Sequence, residues 1–196
     1  MIAGIVLAAG LSLRMGRPKL LLDWGGKPVV RRVVERVKAG GVDEIVIVLG
    51  HEGQAIREAL KGLPVRFVEN PEPEAGQASS IACGVAVLGP AVSAALIALG
   101  DQPALPPEVI PRLLQAFKET GKPIVAPLYR GVQGNPVLFA AAVFPELRAL
   151  TGDRGARSVV EKDPPRVALV SFDFPMPADL DTFEDYERLR PRVNPV

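Results

Sequence analysis

Cysteine, histidine and long apolar runs are scarce in this chain, and each scarcity argues against a class of protein. Cys83 is the only cysteine, so no internal disulfide can form; we expect a reducing compartment and a small buried helix residue. His51 is the only histidine, and because histidine ligands normally come with others, we expect a solvated loop residue there. No apolar run approaches the ~20 residues that cross a bilayer, and no basic segment precedes a cleavable apolar core. We therefore expect a cytoplasmic protein with no membrane partner.

Neither sign of charge dominates. The 23 Lys and Arg residues nearly balance the 22 Asp and Glu residues, giving a formal net charge of +1. Proteins that bind nucleic acid usually carry a basic excess or stripe, so no nucleic-acid partner is expected. The sequence also lacks the glycine-rich dinucleotide fingerprint and a P-loop ending in Gly-Lys-Ser/Thr, which disfavours two other classes of phosphate-handling protein.

What the chain does contain is a regular alternation of apolar and amphipathic segments. The patterns predict strands at 2–9, 43–49, 65–68, 94–99, 123–127, 136–140 and 167–172, and helices at 27–39, 52–60, 79–88, 107–120 and 180–189. Continuous hydrophobicity within a strand is expected when helices cover both faces of a mostly parallel sheet. We predict an α/β, doubly wound, Rossmann-like fold in one domain over residues 1–196, with a small β-hairpin near Gly131 and Gly134.

The first apolar run breaks at residues 6–19 into a small-residue loop that carries two widely spaced cations. Gly10 and Gly16 leave room for main-chain N–H groups to approach anionic oxygens. Arg14 adds a planar donor fork and Lys19 a compact positive charge. This combination predicts a polyphosphate site, although glycines in such a loop can also serve turn geometry alone.

Carboxylates follow two later apolar segments. Asp101 comes directly after the strand predicted at 94–99, and Asp179 and Asp181 precede the last helix. Ligands of open parallel sheets bind outside the carboxyl ends of the strands, so Asp101 and Asp181 could jointly hold one Mg²⁺ near the phosphates. The alternative is structural: an acidic residue at a helix start is often a cap, and one at a strand end is often a turn residue.

Five motifs, in order over nearly the whole chain, resemble the nucleotidyltransferases of molybdenum-cofactor maturation. They are Leu7-Ala8-Ala9-Gly10 with Ser12, Arg14-Met15-Gly16 and Lys19; Gly100-Asp101-Gln102-Pro103; Gly134 with Pro136; Gly152-Asp153 with Gly155-Ala156-Arg157; and Asp179, Asp181 and Thr182. The opening motif is shared with other cytidylyl- and uridylyltransferases. The resemblance is closer to the branch that joins CTP to molybdopterin than to the guanylyltransferase branch, whose loop reads Leu-Ala-Gly-Gly. A methyl group at Ala9 would narrow the base slot and favour a pyrimidine.

The resemblance implies a role for each matching position. The main chain at Leu7, Ala8, Ala9 and Gly10, together with Gly76, Ser79 and Ser80, would bind the nucleotide. Arg14 would face the β and γ phosphates, Lys19 the α phosphate, and Asp101, with Asp181 second, would hold Mg²⁺. Asn135, Asp153 and Arg157 would line the acceptor side. The acceptor would be phosphorylated, with molybdopterin as the first candidate, and a molybdoenzyme could be the client.

Alternatives remain at the level of the residues. The 74–80 segment also fits a plain turn followed by a helix capped by Ser79 or a neighbour. A second enzymatic interpretation joins a pyrimidine nucleotide to a sugar or polyol phosphate. A third retains the fold as a non-catalytic nucleotide or cofactor delivery module. The joint presence of Arg14, Lys19, Asp101 and Asp181 weighs against the loss of catalysis.

Overall fold

The computed structural model of the chain describes residues 1–12, 15–152 and 155–191. Its strands are β1 (Ile2–Ala8), β2 (Glu44–Leu49), β3 (Arg66–Glu69), β4 (Ala94–Leu99), β5 (Ile124–Tyr129), β6 (Val132–Gln133), β7 (Val137–Ala140) and β8 (Val167–Phe172). Its α-helices are α1 (Val29–Ala39), α2 (Gly53–Ala59), α3 (Gln77–Ala86), α4 (Val109–Thr120), α5 (Phe144–Arg148), α6 (Arg157–Lys162) and α7 (Phe183–Leu189). Short 3₁₀ turns lie at Lys19–Leu21, Pro73–Ala75, Ala141–Val143 and Pro164–Arg166.

One mixed sheet organises these elements. Its strand order is β3-β2-β1-β4-β7-β5-β6, with β8 also paired to β5. The pairs β1·β2, β1·β4, β2·β3 and β5·β8 are parallel, whereas β7 runs antiparallel between β4 and β5. The carboxyl ends of β1, β2 and β4 therefore meet at one edge of the sheet, where a ligand of this kind of fold binds.

Helices cover the sheet on both faces, and alternate residues of β1 show how. Val6 and Ala8 join a core cluster with buried residues of α1, α2, α4 and α7. Ala3 and Ile5 point the other way, into a cluster with buried residues of α3, α5 and α6. Burial on both faces explains why the strand is apolar at nearly every position. Among the described residues, no helix combines the length and apolar character that a membrane span requires.

The predicted α/β architecture is confirmed, including the hairpin, which β5 and β6 form around Gly131. The short helices α5 and α6 are absent from the prediction because five or six residues are too few to show a helical period. The helix predicted at 79–88 begins earlier, at Gln77. Its N-cap position is Gly76, and no side chain forms a capping hydrogen bond there. Ser79 therefore lies inside α3 and does not cap it.

An ion pair fastens α5 to the start of β8, and it supports a prediction about stability. Arg166 Nη1 donates to Glu146 Oε1 at 2.7 Å. This hydrogen bond, aided by the positive charges of Arg166 and Lys162, holds the pKa of Glu146 below its ordinary value, although partial burial opposes the shift. A lowered folded-state pKa stabilises the protein above the unfolded pKa of about 4.3, and the stabilisation is lost as the pH falls through the folded value.

Glu146→Gln should therefore lower the free energy of unfolding at pH 7 by about 0.5–1 kcal/mol, because the pair is only partly buried. The difference from wild type should shrink as the pH falls below about 4. Urea denaturation at several pH values measures it. Glu187→Gln, which breaks an exposed pair with Arg190, is the matched control. A loss independent of pH would contradict the assignment.

Candidate functional site

A cavity of about 550 Å³ opens at the edge of the sheet where β1 and β4 end. Its lining combines the ends of these strands with the loops that follow them and with the first turn of α3. The lining residues are Leu7, Ala9, Gly10, Leu11, Ser12, Lys19, Leu20, Pro73, Glu74, Gly76, Gln77, Ser80, Leu99, Asp101, Asp179 and Asp181. Segments that are distant in the sequence thus form one concave surface.

Gly100 allows the carboxyl ends of β1 and β4 to approach each other closely at this cavity. The N–H of Gly100 donates to the carbonyl of Leu7 at 3.0 Å. A Cβ at position 100 would lie 2.7 Å from the same carbonyl oxygen, so a larger residue would push the end of β4 away from β1. Gly100 thereby places Asp101 beside the start of the opening loop.

Lys19, Asp101 and Asp181 meet at the floor of this cavity. Lys19 Nζ lies 2.5 Å from Asp101 Oδ2 and 3.6 Å from Asp181 Oδ1. The side chains of Lys19 and Asp101 are only 13% and 17% exposed, so water screens their attraction weakly. Lys19 of the opening loop, Asp101 at the end of β4 and Asp181 before α7 therefore lie together in the folded chain, as the proposed joint site requires.

The opening loop positions Lys19 through its own backbone. The N–H groups of Met15 and Gly16 both donate to the carbonyl of Ser12, and the Ser12 hydroxyl accepts from the N–H of Lys19. Lys19 then starts a 3₁₀ turn whose Leu20 is buried. Arg14, the second cation of the predicted phosphate site, lies outside the described residues.

Asp179 adds a third carboxyl group next to the pair. Desolvation and the negative charge of Asp101 raise the pKa of Asp179, with a smaller contribution from Asp181, while a hydrogen bond from Gln102 opposes the shift. Gln102 is buried, and its Nε2 donates to Asp179 Oδ1 at 2.7 Å. Neither Asp179 nor Asp181 caps α7. The cap is Thr182, which forms a reciprocal capping box with Asp185. The structural alternative for these two aspartates is thus wrong.

Of the four predicted residues in the opening loop, Leu7, Ala9 and Gly10 line the cavity. The side chain of Ala8 is 2% exposed and belongs to the core, and Ala8 is not among the lining residues, so the predicted main-chain contact of Ala8 with a nucleotide stays a prediction. This difference follows from the alternation of side chains along β1. Gly76 and Ser80, two other predicted nucleotide contacts, also line the cavity.

Ser79, the other predicted nucleotide contact, is not among the residues that line the cavity, and its contact with a nucleotide stays a prediction. Its hydroxyl is used within the protein, where it contacts the carbonyls of Glu72 and Gly76 and accepts from Asn70. Asn70 itself was missed by the sequence analysis. The available signal was an asparagine followed by a proline, two positions after the strand predicted at 65–68, a pattern typical of a turn.

A second cavity of about 230 Å³ adjoins the first, and Gln77, Leu99 and Asp179 line both. Asn135 and Arg157, predicted on the acceptor side, line this second cavity. Arg157 is mostly exposed and its Nε donates to Glu161 Oε1 at 2.7 Å. Asp153, the third predicted acceptor residue, lies outside the described residues.

The only histidine and the only cysteine of the chain lie in different environments. His51 is exposed, as expected, with its Nε2 2.5 Å from Glu74 Oε1 at the rim of the larger cavity. Cys83 lies in α3, where it is partly buried, and burial raises the pKa of its thiol. A thiol with a raised pKa forms little thiolate and is a poor nucleophile.

Within the described ranges, no group of three or more His, Cys, Asp or Glu side chains forms a metal-binding cluster. Asp101 and Asp181 supply carboxylate oxygens 2.5 and 3.6 Å from the Lys19 ammonium. Magnesium is usually held by one or two carboxylates together with substrate phosphates, so this pair fits a metal that arrives with a nucleotide.

Comparison with known proteins gives matches that span almost the whole chain. A nicotine blue oxidoreductase from Paenarthrobacter nicotinovorans is 33% identical over 96% of both chains. The solved structure of Rv0371c from Mycobacterium tuberculosis H37Rv superposes with a TM-score of 0.87 at 31% identity, covering 96% of both chains. The same protein has been solved in complex with manganese, with a TM-score of 0.81.

A nucleotidyl transferase from Methanothermobacter thermautotroptrophicus superposes with a TM-score of 0.82 at 30% identity, covering 97% of this chain and 96% of that one. The chain also matches bifunctional GlmU proteins, of which it spans about a quarter. The sequence matches the MobA-like NTP transferase domain over residues 4–167. The chain therefore belongs to the family of MobA-like NTP transferase domains.

Proposed function

We propose that this protein is a divalent-metal-dependent cytidylyltransferase, which moves CMP from CTP to the terminal phosphate of molybdopterin and releases pyrophosphate. The observation that carries the proposal is the meeting of Lys19, Asp101 and Asp181 in the larger cavity, at the carboxyl ends of parallel strands. Membership of a family of NTP transferase domains supports the same reaction class. We further propose that residues 1–196 act as one domain built on the single sheet.

The donor set supports a hard divalent cation. Asp101 and Asp181 offer oxygen ligands, and the Lys19 ammonium between them marks a place where positive charge is stabilised. The manganese complex of Rv0371c supports a divalent metal in a relative of this chain. When bound, Mg²⁺ would neutralise charge on the phosphates as a Lewis acid.

The residues of the chain would position the reactants and balance charge. An ionised oxygen of the acceptor phosphate attacks the α phosphorus of CTP, and the bond from that phosphorus to the β-phosphate bridging oxygen breaks. Lys19 would offset the negative charge that builds up at the α phosphate. No protein nucleophile or proton transfer is required, since the attacking oxygen is already ionised at neutral pH. Arg14 would face the β and γ phosphates.

The two adjoining cavities support separate subsites for the two substrates. Leu7, Ala9, Gly10, Gly76 and Ser80, which all line the larger cavity, would hold the base and ribose of CTP. The smaller cavity, with Asn135 and Arg157, would hold the acceptor, and Asp153 would join them. A molybdoenzyme would receive the product.

The test is pyrophosphate release by purified protein with Mg²⁺ or Mn²⁺, each nucleoside triphosphate, and either molybdopterin or a panel of sugar phosphates. We expect release with CTP and molybdopterin. Release only with UTP and a sugar phosphate would contradict both CTP and molybdopterin as the substrates, and would favour the sugar-phosphate alternative. Nucleotide binding without release for any pair would favour a delivery module. Reduction of nicotine blue by the same preparation when a reduced nicotinamide cofactor is added as the electron donor, with no pyrophosphate release, would overturn the proposal, since one relative is named a nicotine blue oxidoreductase.

Base preference can be tested at Ala9, which lines the cavity and is 5% exposed. Ala9→Gly removes the methyl group that would narrow the base slot. We expect the ratio of kcat/KM for CTP over that for GTP to fall by about tenfold, the effect of one methyl group in a tight pocket. Ala91→Gly, in an exposed turn, is the matched control. An unchanged ratio would remove Ala9 from base selection.

A further inference from the structure

The amide of Asn70 has only one orientation that satisfies its neighbours. Asn70 is 5% exposed and follows the end of β3. Its Oδ1 lies 3.0 Å from the backbone N–H of Glu72, which can only donate. Oδ1 must therefore be the acceptor, and the Nδ2 group with its two hydrogens must face the two serines of α3.

Those two hydrogens fix how both serines can bond. Asn70 Nδ2 donates to Ser79 Oγ at 2.8 Å and to Ser80 Oγ at 3.0 Å. The Ser79 hydroxyl can then donate its hydrogen to the carbonyl of Glu72 or to that of Gly76. Ser80 differs, because in the described part of the chain its hydroxyl oxygen has a hydrogen bond only from Asn70.

Ser80 is thus a buried hydroxyl, 5% exposed, in the wall of the larger cavity. Its oxygen already accepts from Asn70, whereas its hydroxyl hydrogen has no acceptor among the described residues, so the bond that a ligand can complete is one that Ser80 donates. A buried donor without a partner costs about 1–3 kcal/mol, so a ligand that supplies an acceptor atom is favoured.

We propose that Asn70 is a positioning residue that holds Ser80 as a hydrogen-bond donor to an accepting atom of the bound nucleoside. This inference rests on the proposed nucleotidyl transfer, because it needs a nucleotide in the larger cavity. It names the chemistry that Ser80 selects: a lone pair on the base or ribose, such as a pyrimidine carbonyl oxygen. Asn70 acts through Ser80, since it does not itself line the cavity.

The experiment is a double-mutant cycle on the dissociation constant of CTP, measured by titration calorimetry with Mg²⁺ and no acceptor. Ser80→Ala should weaken CTP binding by about five- to tenfold. Asn70→Asp keeps the size of the side chain and the bond from Glu72, but draws the Ser80 hydrogen toward itself. It should weaken binding by about tenfold as well.

The decisive comparison is Asn70→Asp in the Ser80→Ala background. If Asn70 acts through the Ser80 hydrogen, the second change should add less than about twofold. An equal loss in both backgrounds would mean that the new charge or a loosened loop is responsible, and would overturn the inference. So would Ser80→Ala with wild-type affinity. Asn70→Ala in both backgrounds gives the same comparison if Asn70→Asp does not fold.

Ser93→Ala is the matched control, because Ser93 bonds to the carbonyl of Met1 at the opposite edge of the sheet. Its CTP affinity should equal that of wild type. The two proposals can fail separately. If the wild-type protein binds CTP but releases no pyrophosphate, the proposed function is overturned. If the wild-type protein turns over but Asn70→Asp weakens CTP binding equally in both backgrounds, only the role of Asn70 is overturned.

Discussion

Asp101→Asn is expected to reduce the rate of pyrophosphate release by about a thousandfold while the protein remains folded. The carboxylate of Asp101 lies 2.5 Å from the Lys19 ammonium and shares the cavity floor with Asp181. Asparagine has the same size, but it loses the charge that would hold a divalent metal and orient Lys19. The rate of pyrophosphate release is measured with CTP, Mg²⁺ and saturating acceptor. Thermal unfolding followed by circular dichroism shows whether the variant is folded and gives its Tm.

The cost in stability should be small, because Lys19 keeps Asp181 as a second partner at 3.6 Å. We expect Tm to change by less than about 3 °C, which corresponds to about 1 kcal/mol in a chain of this length. Asp163→Asn, which removes a distant carboxylate near Arg166, is the control and should leave turnover unchanged. Turnover within a factor of two of wild type in Asp101→Asn would remove this residue from the mechanism.

Lys19→Met is the second change with a large expected effect, and it should affect both rate and stability. Methionine keeps most of the length of the side chain but removes the cation between Asp101 and Asp181. Turnover should fall by about a hundredfold or more, because Lys19 is the only cationic side chain among the described residues that line the cavity. The free energy of unfolding in metal-free buffer should fall by about 1–3 kcal/mol, since the carboxylates lose their partner.

A divalent metal provides a readout that a general loss of packing would not change. Because Mg²⁺ or Mn²⁺ can replace the missing positive charge, it should raise the Tm of Lys19→Met more than the Tm of wild type. Lys61→Met, at an exposed lysine paired with Glu58, is the control. Equal metal-induced shifts in wild type and Lys19→Met would contradict a shared site for the lysine and the metal.

Several elements of the site could be predicted because they depend on local pattern. The strand before Asp101 is apolar throughout and ends at a glycine, so its carboxyl end can be found in the sequence. The opening loop can be found in the same way, because it follows the apolar run of β1 and begins at Gly10. The roles of Ser79 and Ser80 could not be told apart from the sequence, because serine serves caps, internal hydrogen bonds and ligands equally well. Only the position of Asn70, fixed by the pairing of β3 with β2, decides between these uses.

The sequence by itself determined the alternation of strands and helices, the mostly parallel sheet and the residues that follow each strand, because apolar periodicity and glycine placement act over a few neighbours. The tertiary structure decided which side chains meet. Lys19 and Asp101 are 82 positions apart, and their contact depends on the pairing of β1 with β4 and on the absence of a Cβ at Gly100. The different fates of Ser79 and Ser80 likewise depend on Asn70, nine and ten positions away, because the direction of a hydrogen bond is set by every partner in its network.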